Sequence, residues 1–151
     1  MNINLLPPVM GGIGLIAAFV LYALVKRYPA GEGAVEEIAE AIHQGAMTFI
    51  RREYTLLWGF AAVVAVVIFL SPLGLNTTIA FVTGALSSSI AGGVGMYTAT
   101  RANVRTATAA NTEGAGAALS VAFYGGSIMG LTVAAMGLLG LGSLYILFGS
   151  D

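Results

Sequence analysis

Four long apolar stretches, separated by short polar intervals, dominate the pattern of this chain. A membrane-spanning helix needs about 20 mainly apolar residues. The first three stretches therefore predict spans at about residues 5–25, 54–70 and 77–100. After Gly95 the third stretch contains no Gly or Pro that would end a helix, so we expect this helix to extend beyond the membrane to about residue 112.

The fourth apolar stretch, residues 114–150, contains no charged residue and is longer than one bilayer crossing needs. One long helix over about residues 115–148 is the preferred interpretation. Two short spans that turn at Gly125–Gly126 are the alternative.

Between the first two spans, apolar residues recur at helical spacing opposite a charged face over residues 34–52. Acidic residues lie in the first turns and Arg51 and Arg52 in the last, which suits the helix dipole. We therefore predict a separate amphipathic helix, on the membrane surface or against neighbouring helices. His43 is the only histidine, and no cysteine accompanies it, so we predict a surface or capping group rather than a metal ligand.

The composition supports a membrane protein. Of 151 residues, 58% are hydrophobic and only 9% are charged, whereas soluble domains contain about a quarter charged residues. The N-terminus lacks the basic region of a signal peptide, so the first stretch is expected to be a mature span. The predicted fold is all-α: one polytopic module over residues 1–151, with four transmembrane helices and one amphipathic cytoplasmic helix in a lipid bilayer.

The basic residues give the predicted orientation. With four spans, the intervals 26–53 and 101–113 lie on one side, and both termini and the turn at 71–76 lie on the other. The positive-inside rule then places the basic loops in the cytoplasm and both termini outside the cell membrane. The basic residues, all on the first side, are Lys26, Arg27, Arg51, Arg52, Arg101 and Arg105.

Small residues four apart form stripes on two of the predicted spans. Such stripes let another helix approach closely in a membrane. We therefore predict helix packing through Gly84, Ser88 and Gly92 on the third span, and through Gly126 and Gly130 on the fourth.

The spans carry no ionisable side chain, so no ion relay is visible within the membrane. Asp151 is the only aspartate, although magnesium–phosphate sites usually need carboxylates. No phosphate-binding GxxxxGK loop is present. We assign no catalytic, cofactor-binding or metal-binding residue to this chain, and no nucleic-acid partner.

Two stretches carry a more specific signal: IAEAIHQGAMTFIRREY, from Ile38 to Tyr54, and GALSSSIAGGVGMYTATRANVRTATAA, from Gly84 to Ala110. Both resemble membrane-bound pyrophosphatases, the pumps that couple pyrophosphate hydrolysis to proton or sodium transport. The first is similar to the family's segment between its first two spans. The second is similar to the family's third span and its cytoplasmic continuation.

Members of that family are several times longer, and their aspartate-rich motifs and ion gate lie on later helices. The resemblance therefore implies that this chain is the N-terminal, outer-helix portion of such a pump and is inactive alone. It implies Mg²⁺ bound by parts of the pump that this chain does not contain, and it leaves a K⁺ requirement open. The implied partners are the remaining helices of the pump and, when complete, a second copy in a homodimer.

Within the second stretch, Arg101, Asn103 and Arg105 are candidates for a structural or electrostatic role. The arginines would hold the cytoplasmic helix ends through charged hydrogen bonds to carboxylates or carbonyl groups of later helices. Alternatively, one of them would add positive potential near the anionic substrate.

A non-enzymatic, Gly-rich membrane scaffold that drives oligomerisation is the alternative function, since the small-residue stripes fit it. A rotor-ring subunit of an ATP synthase and a four-span multidrug exporter are set aside. Each of those classes normally needs a carboxylate within the membrane, and these spans contain none.

Overall fold

The computed structural model describes residues 3–149 of the chain. A short 3-10 helix, Ile3–Leu5, leads into four α-helices. They are α1 (Leu6–Val25), α2 (Ala34–Leu70), α3 (Gly74–Thr112) and α4 (Ala115–Phe148). All four are long and apolar enough to cross a membrane. The prediction of an all-helical, multi-pass membrane fold is confirmed.

Three of the helices are much longer than a bilayer requires. They contain 37, 39 and 34 residues, which at about 1.5 Å per residue gives lengths near 50–60 Å. The hydrocarbon core is only about 30 Å thick. Each of these helices is therefore expected to continue beyond the membrane. Residues 114–150, for which the sequence left open one long helix or two short spans, form the single helix α4 over Ala115–Phe148.

The separate amphipathic helix predicted over residues 34–52 is wrong as an independent element. It is the first half of α2 and runs without interruption through Glu53 into the second span. No proline or glycine lies between Ala46 and Leu57 to end the helix, so the ladder of backbone hydrogen bonds simply continues. This half of α2 packs against α3, one of the two placements that the sequence predicted, through contacts such as Glu40–Arg101 and His43–Thr100.

Helix α4 lies at the centre of the packing. Helices α1 and α3 each pack along α4 and scarcely touch each other, while α2 packs only on α3. The core between α1, α3 and α4 is formed by Ala18, Val25, Ala102 and Ile128. Two long helices can approach this closely because small residues occupy the crossing points.

The crossing points do not lie on the predicted stripe of α4. Gly126 and Gly130 are exposed, and a methyl group added to either would meet nothing within 4 Å. Gly125 is buried instead, and a Cβ there would lie 2.6 Å from the Ala102 Cβ on α3. Within this chain the packing face of α4 is thus rotated by one residue from the predicted one.

Four glycines with positive φ lie at the turns between helices: Gly31, Gly33, Gly74 and Gly114. Gly114 has φ of +89° and separates α3 from α4. Gly31 has φ of +85° in the loop between α1 and α2, and a Cβ at this position would lie 2.9 Å from the Thr108 hydroxyl oxygen of α3. Residues other than glycine rarely adopt this backbone conformation. Glycine at these positions therefore allows the chain to reverse direction.

Candidate functional site

The chemistry-bearing residues gather at one end of the helices, which we call the basic end: Lys26, Arg27, Arg101, Arg105 and the loop between α1 and α2. Arg101 lies on the extended part of α3 and donates from Nη1 to Glu40 Oε2 of α2 at 3.0 Å. Both side chains are partly exposed. The Gln44 amide and the Arg101 guanidinium hold the pKa of the Glu40 carboxyl below its usual range.

Arg105 ties the loop between α1 and α2 to α3. Its Nε donates to the carbonyl oxygen of Tyr28 at 3.1 Å, and its Nη1 donates to the carbonyl oxygen of Arg101 at 2.8 Å. Tyr28 follows the end of α1, where helical carbonyls lack partners. The guanidinium thus satisfies two backbone acceptors on different elements, a geometry that suits a planar fork of donors.

His43 is buried between α2 and α3, so its prediction as a surface or capping group is wrong. Its Nδ1 lies 2.7 Å from Thr100 Oγ1, and its ring packs edge-on against Tyr97. The Thr100 hydroxyl has one proton, which it donates to the Met96 or Tyr97 carbonyl oxygen. When the hydroxyl keeps this bond to the backbone, it accepts from His43 Nδ1–H; in the other tautomer it donates to His43 Nδ1 instead.

Asn103, the third candidate of this segment, is exposed on α3. It lies at the edge of an apolar groove between α2 and α3, together with Ile38 and Ile42. It shares neither the ion pair of Arg101 nor the backbone contacts of Arg105. The structure therefore brings the two arginines together and leaves Asn103 facing outward.

The stripe predicted on α3 has two different environments. Gly92 receives the Tyr54 side chain of α2, and a Cβ at this position would lie 2.6 Å from the Tyr54 hydroxyl oxygen. That hydroxyl donates to the Ser89 carbonyl oxygen at 2.7 Å. Gly84 and Ser88 are exposed and line an open groove between α3 and α4.

Two contributions were missed from the sequence. The sequence assigned no packing contact to Tyr54 and predicted His43 as a surface or capping group. Both instead join α2 to α3 through polar contacts, and their partners lie 35 and 57 residues away. Only information that links positions far apart in the sequence could have identified these two pairs of contacting residues.

Among residues 3–149, no group of three or more His, Asp or Glu side chains could hold a metal ion. Asp151 lies outside the described residues. The basic end holds three arginines and a lysine, and its carboxylates, such as Glu32 and Glu40, form no such cluster, so it does not fit a divalent cation, which prefers several oxygen ligands.

The chain is similar in sequence to known proteins along most of its length. Residues 12–151 match the family model described as inorganic H⁺ pyrophosphatase. The chain belongs to the H⁺ pyrophosphatase family. The resemblance drawn from its two distinctive stretches is therefore confirmed.

Relatives within the H⁺ pyrophosphatase family include pumps for different ions. The chain is 44% identical over 144 residues to a K⁺-insensitive pyrophosphate-energized proton pump of Methanosarcina mazei. It is 40% identical over 142 residues to K⁺-insensitive pyrophosphate-energized proton pump 2 of Moorella thermoacetica. It is 43% identical over 129 residues to a K⁺-stimulated pyrophosphate-energized sodium pump of Thermotoga maritima.

These matches cover 94%, 94% and 85% of this chain. They cover only 21%, 21% and 18% of the relatives. The chain thus spans about a fifth of the length of the family members that it matches.

Proposed function

We propose that this chain acts as the N-terminal, outer-helix portion of a pump that hydrolyses pyrophosphate at the cytoplasmic face and moves protons or sodium ions across the membrane. The observation that carries the proposal is the family match over residues 12–151. The four long, apolar helices support it, since they suit a multi-pass membrane protein.

Within the pump, the proposed role of this portion is structural support. Its own contacts already brace the basic end: α2 to α3 through Glu40–Arg101 and His43–Thr100, and the first loop to α3 through Arg105. The sequence predicted that the arginines bond to later helices. In this chain they bond to earlier ones, which favours the bracing role over direct contact with substrate.

The remaining helices of the pump are the proposed partners. Ile38, Ile42 and Phe49 are each more than half exposed on the charged half of α2, and Gly126 and Gly130 are exposed on α4. Apolar side chains outside the bilayer and small-residue faces inside it are both typical of surfaces that receive other helices. A homodimer of the complete pump remains part of the proposal.

The metal chemistry would come from outside this portion. Mg²⁺ is proposed as the cofactor of the complete pump, but the described residues do not fit it, and we route no step of hydrolysis through this chain. The same holds for a K⁺ requirement and for the choice of ion, because potassium-insensitive proton pumps and a potassium-stimulated sodium pump match the chain at similar identity.

The proposed orientation places the basic end in the cytoplasm and the turn between α2 and α3 outside. The sequence contains no cysteine, so single cysteines report topology without background from this portion. In intact cells, a membrane-impermeant maleimide should label Asn76→Cys and should label Glu32→Cys only after permeabilisation. The reverse pattern would overturn the orientation.

The function is tested by measuring phosphate release from magnesium pyrophosphate, and ion uptake, in vesicles that contain either this chain or the complete reading frame. We expect activity from the complete protein and none from the chain alone. The intact mass of the native polypeptide is the companion measurement. A native mass of about 15.4 kDa in the membrane, without pyrophosphate hydrolysis, would instead favour the non-enzymatic scaffold.

Arg105→Ala in the complete pump separates the two roles of the arginines. Loss of assembled protein is expected from bracing. A raised Michaelis constant for pyrophosphate with normal assembly would favour the electrostatic role. Arg105→Lys is the matched variant, because it keeps the charge but cannot reproduce the two-acceptor fork.

A further inference from the structure

A groove of about 530 Å³ runs between α1 and α3, with α4 as its floor. It exists because α1 and α3 both pack on α4 and scarcely touch each other. Its walls are apolar: Phe19 from α1, Ile90 and Val94 from α3, and Met136 from α4. The Thr132 hydroxyl in the floor is already satisfied, since it donates to the Ile128 carbonyl oxygen at 2.7 Å.

The walls of this groove differ from the helix-packing faces of the same molecule. Phe19 is 71% exposed and Ile90 is 50% exposed, so bulky side chains face the opening, while the smaller Ala18 and Gly93 also line the groove. Helix-packing surfaces in membranes use small residues that let backbones approach, as in the groove lined by Gly84 and Gly140. Bulky, rounded apolar walls suit flexible hydrocarbon better than another helix.

One end of the groove is polar and positively charged. Tyr22 of α1 and Tyr97 of α3 line the groove at its basic end. The Lys26 ammonium lies 5.7 Å from the centre of the Tyr22 ring, and the Arg101 guanidinium carbon lies 5.9 Å from the centre of the Tyr97 ring. Tyrosine rings at this level are typical of the lipid headgroup region.

The two cations beside the groove, Lys26 and Arg101, are only partly neutralised, although Glu36 and Glu37 also lie at the basic end beside Arg101 and Arg105. Among residues 3–149, the pair of Arg101 with Glu40 is the only salt bridge, and it engages one of the five donors of the guanidinium. Lys26 is exposed. A basic pocket between transmembrane helices, at headgroup level and continuous with an apolar groove, is complementary to an anionic phospholipid.

We propose that this groove binds an anionic phospholipid, with an acyl chain between α1 and α3 and the phosphate group at Lys26 and Arg101. The lipid fills the space that α4 leaves between its two neighbours. It thereby supports the packing of α1, which otherwise contacts only α4 along most of its length. The inference concerns a site outside the hydrolytic chemistry and does not depend on the proposed pump activity.

The test uses the complete pump, purified without pyrophosphate and analysed by native mass spectrometry with added lipid. Phosphatidylglycerol and phosphatidylcholine with identical acyl chains are compared. We expect phosphatidylglycerol to be retained preferentially. Lys26→Gln should weaken its binding about fivefold, the effect of one basic residue near a headgroup, and Lys26→Arg should restore it.

Two further variants define the site. Arg52→Gln removes an exposed positive charge from α2, which makes no contact with α1, and should leave lipid retention unchanged. Ile90→Trp fills the groove from an outward-facing position and should lower the retention of both lipids. Soluble glycerol phosphate should not compete, since it lacks the chain that occupies the groove.

Four results would overturn the proposal. Equal retention of the two lipids would show that the site does not recognise the charge of the headgroup. Equal losses of lipid binding in Lys26→Gln and Arg52→Gln would show that the recognition is not located at Lys26. Displacement by glycerol phosphate would indicate a phosphate site without the groove. Absence of bound lipid, together with a lower melting temperature of Ile90→Trp, would mean that another helix of the pump fills the groove.

Discussion

The crossing of α3 and α4 at Gly125 and Ala102 makes a sharp prediction about packing. A Cβ at position 125 would lie 2.6 Å from the Ala102 Cβ, whereas carbon atoms are in favourable contact at about 3.5–4.0 Å. Gly125→Ala therefore requires the two helices to separate by about 1 Å at this point. The atom in the way is fixed to the backbone of α3, so no side-chain rotation can relieve the clash.

The magnitude follows from two opposing effects. Overpacking a closely packed interface typically costs about 1–3 kcal/mol. Replacing a helical glycine by alanine recovers up to about 1 kcal/mol of helix propensity. We therefore expect Gly125→Ala to lower the free energy of unfolding by about 1–2 kcal/mol.

The matched control is the double variant Ala102→Gly with Gly125→Ala, which moves the methyl group from one helix to the other. Stability is measured on the complete pump by titration with sodium dodecyl sulfate and, independently, by the fraction that stays assembled after heating. The double variant should be more stable than the sum of the single changes predicts, by about 0.5–3 kcal/mol. Additive effects, or a Gly125→Ala protein as stable as the parent, would refute the close crossing.

Three other expectations concern individual contacts. Thr100→Val should lower the free energy of unfolding by about 1–3 kcal/mol, because it leaves His43 Nδ1 buried without its hydrogen-bond partner. The double variant with His43→Leu should lose less stability than the sum of the two single changes. Additive losses in an unfolding titration would contradict the bond. The folded pKa of Glu40 lies below its unfolded value of about 4.5 because Gln44 and Arg101 favour the charged carboxylate. The small stabilisation by these two contacts should therefore be complete above that pH and lost as the pH falls through the folded pKa. The melting temperature measured against pH should lose this acid-side step in Glu40→Gln, and an unchanged step would assign it to other carboxyl groups. Gly126→Leu should reduce the assembled fraction of the complete pump on size-exclusion chromatography, because it fills a face left open for another helix, and unchanged assembly would contradict a helix partner at this face.

The class of fold was predictable because it depends on local composition. Each apolar stretch is long enough to span a bilayer on its own, and no strand is present among residues 3–149. The boundary between the amphipathic segment and the second span was not predictable from the change in polarity at Glu53. A change in polarity marks where a helix leaves the membrane, whereas only a break in the hydrogen-bond ladder ends it.

The rotation of each helix about its axis was harder to predict, and α4 shows why. Its residues are apolar on every side, so no polar face marks the direction of solvent or core. Gly126 belongs to a row of small residues and is exposed, whereas its neighbour Gly125, which has Val121 and Met129 four residues away, is buried. The four-residue spacing of small residues predicts that α4 packs closely against another helix. Only the shape of the facing helix decides which residues of α4 form that contact.

The same reasoning explains why the unselected faces matter. Helix α4 uses Gly125 for its close contact with α3 and leaves the small-residue row at Gly126 and Gly130 open. On the charged half of α2, the buried side holds His43, while Ile38 and Ile42 face outward. Within this chain α2 thus packs on α3, and α4 packs on α1 and α3, while both helices present a further, chemically suitable surface to the outside, as the proposed outer helices of a larger assembly should.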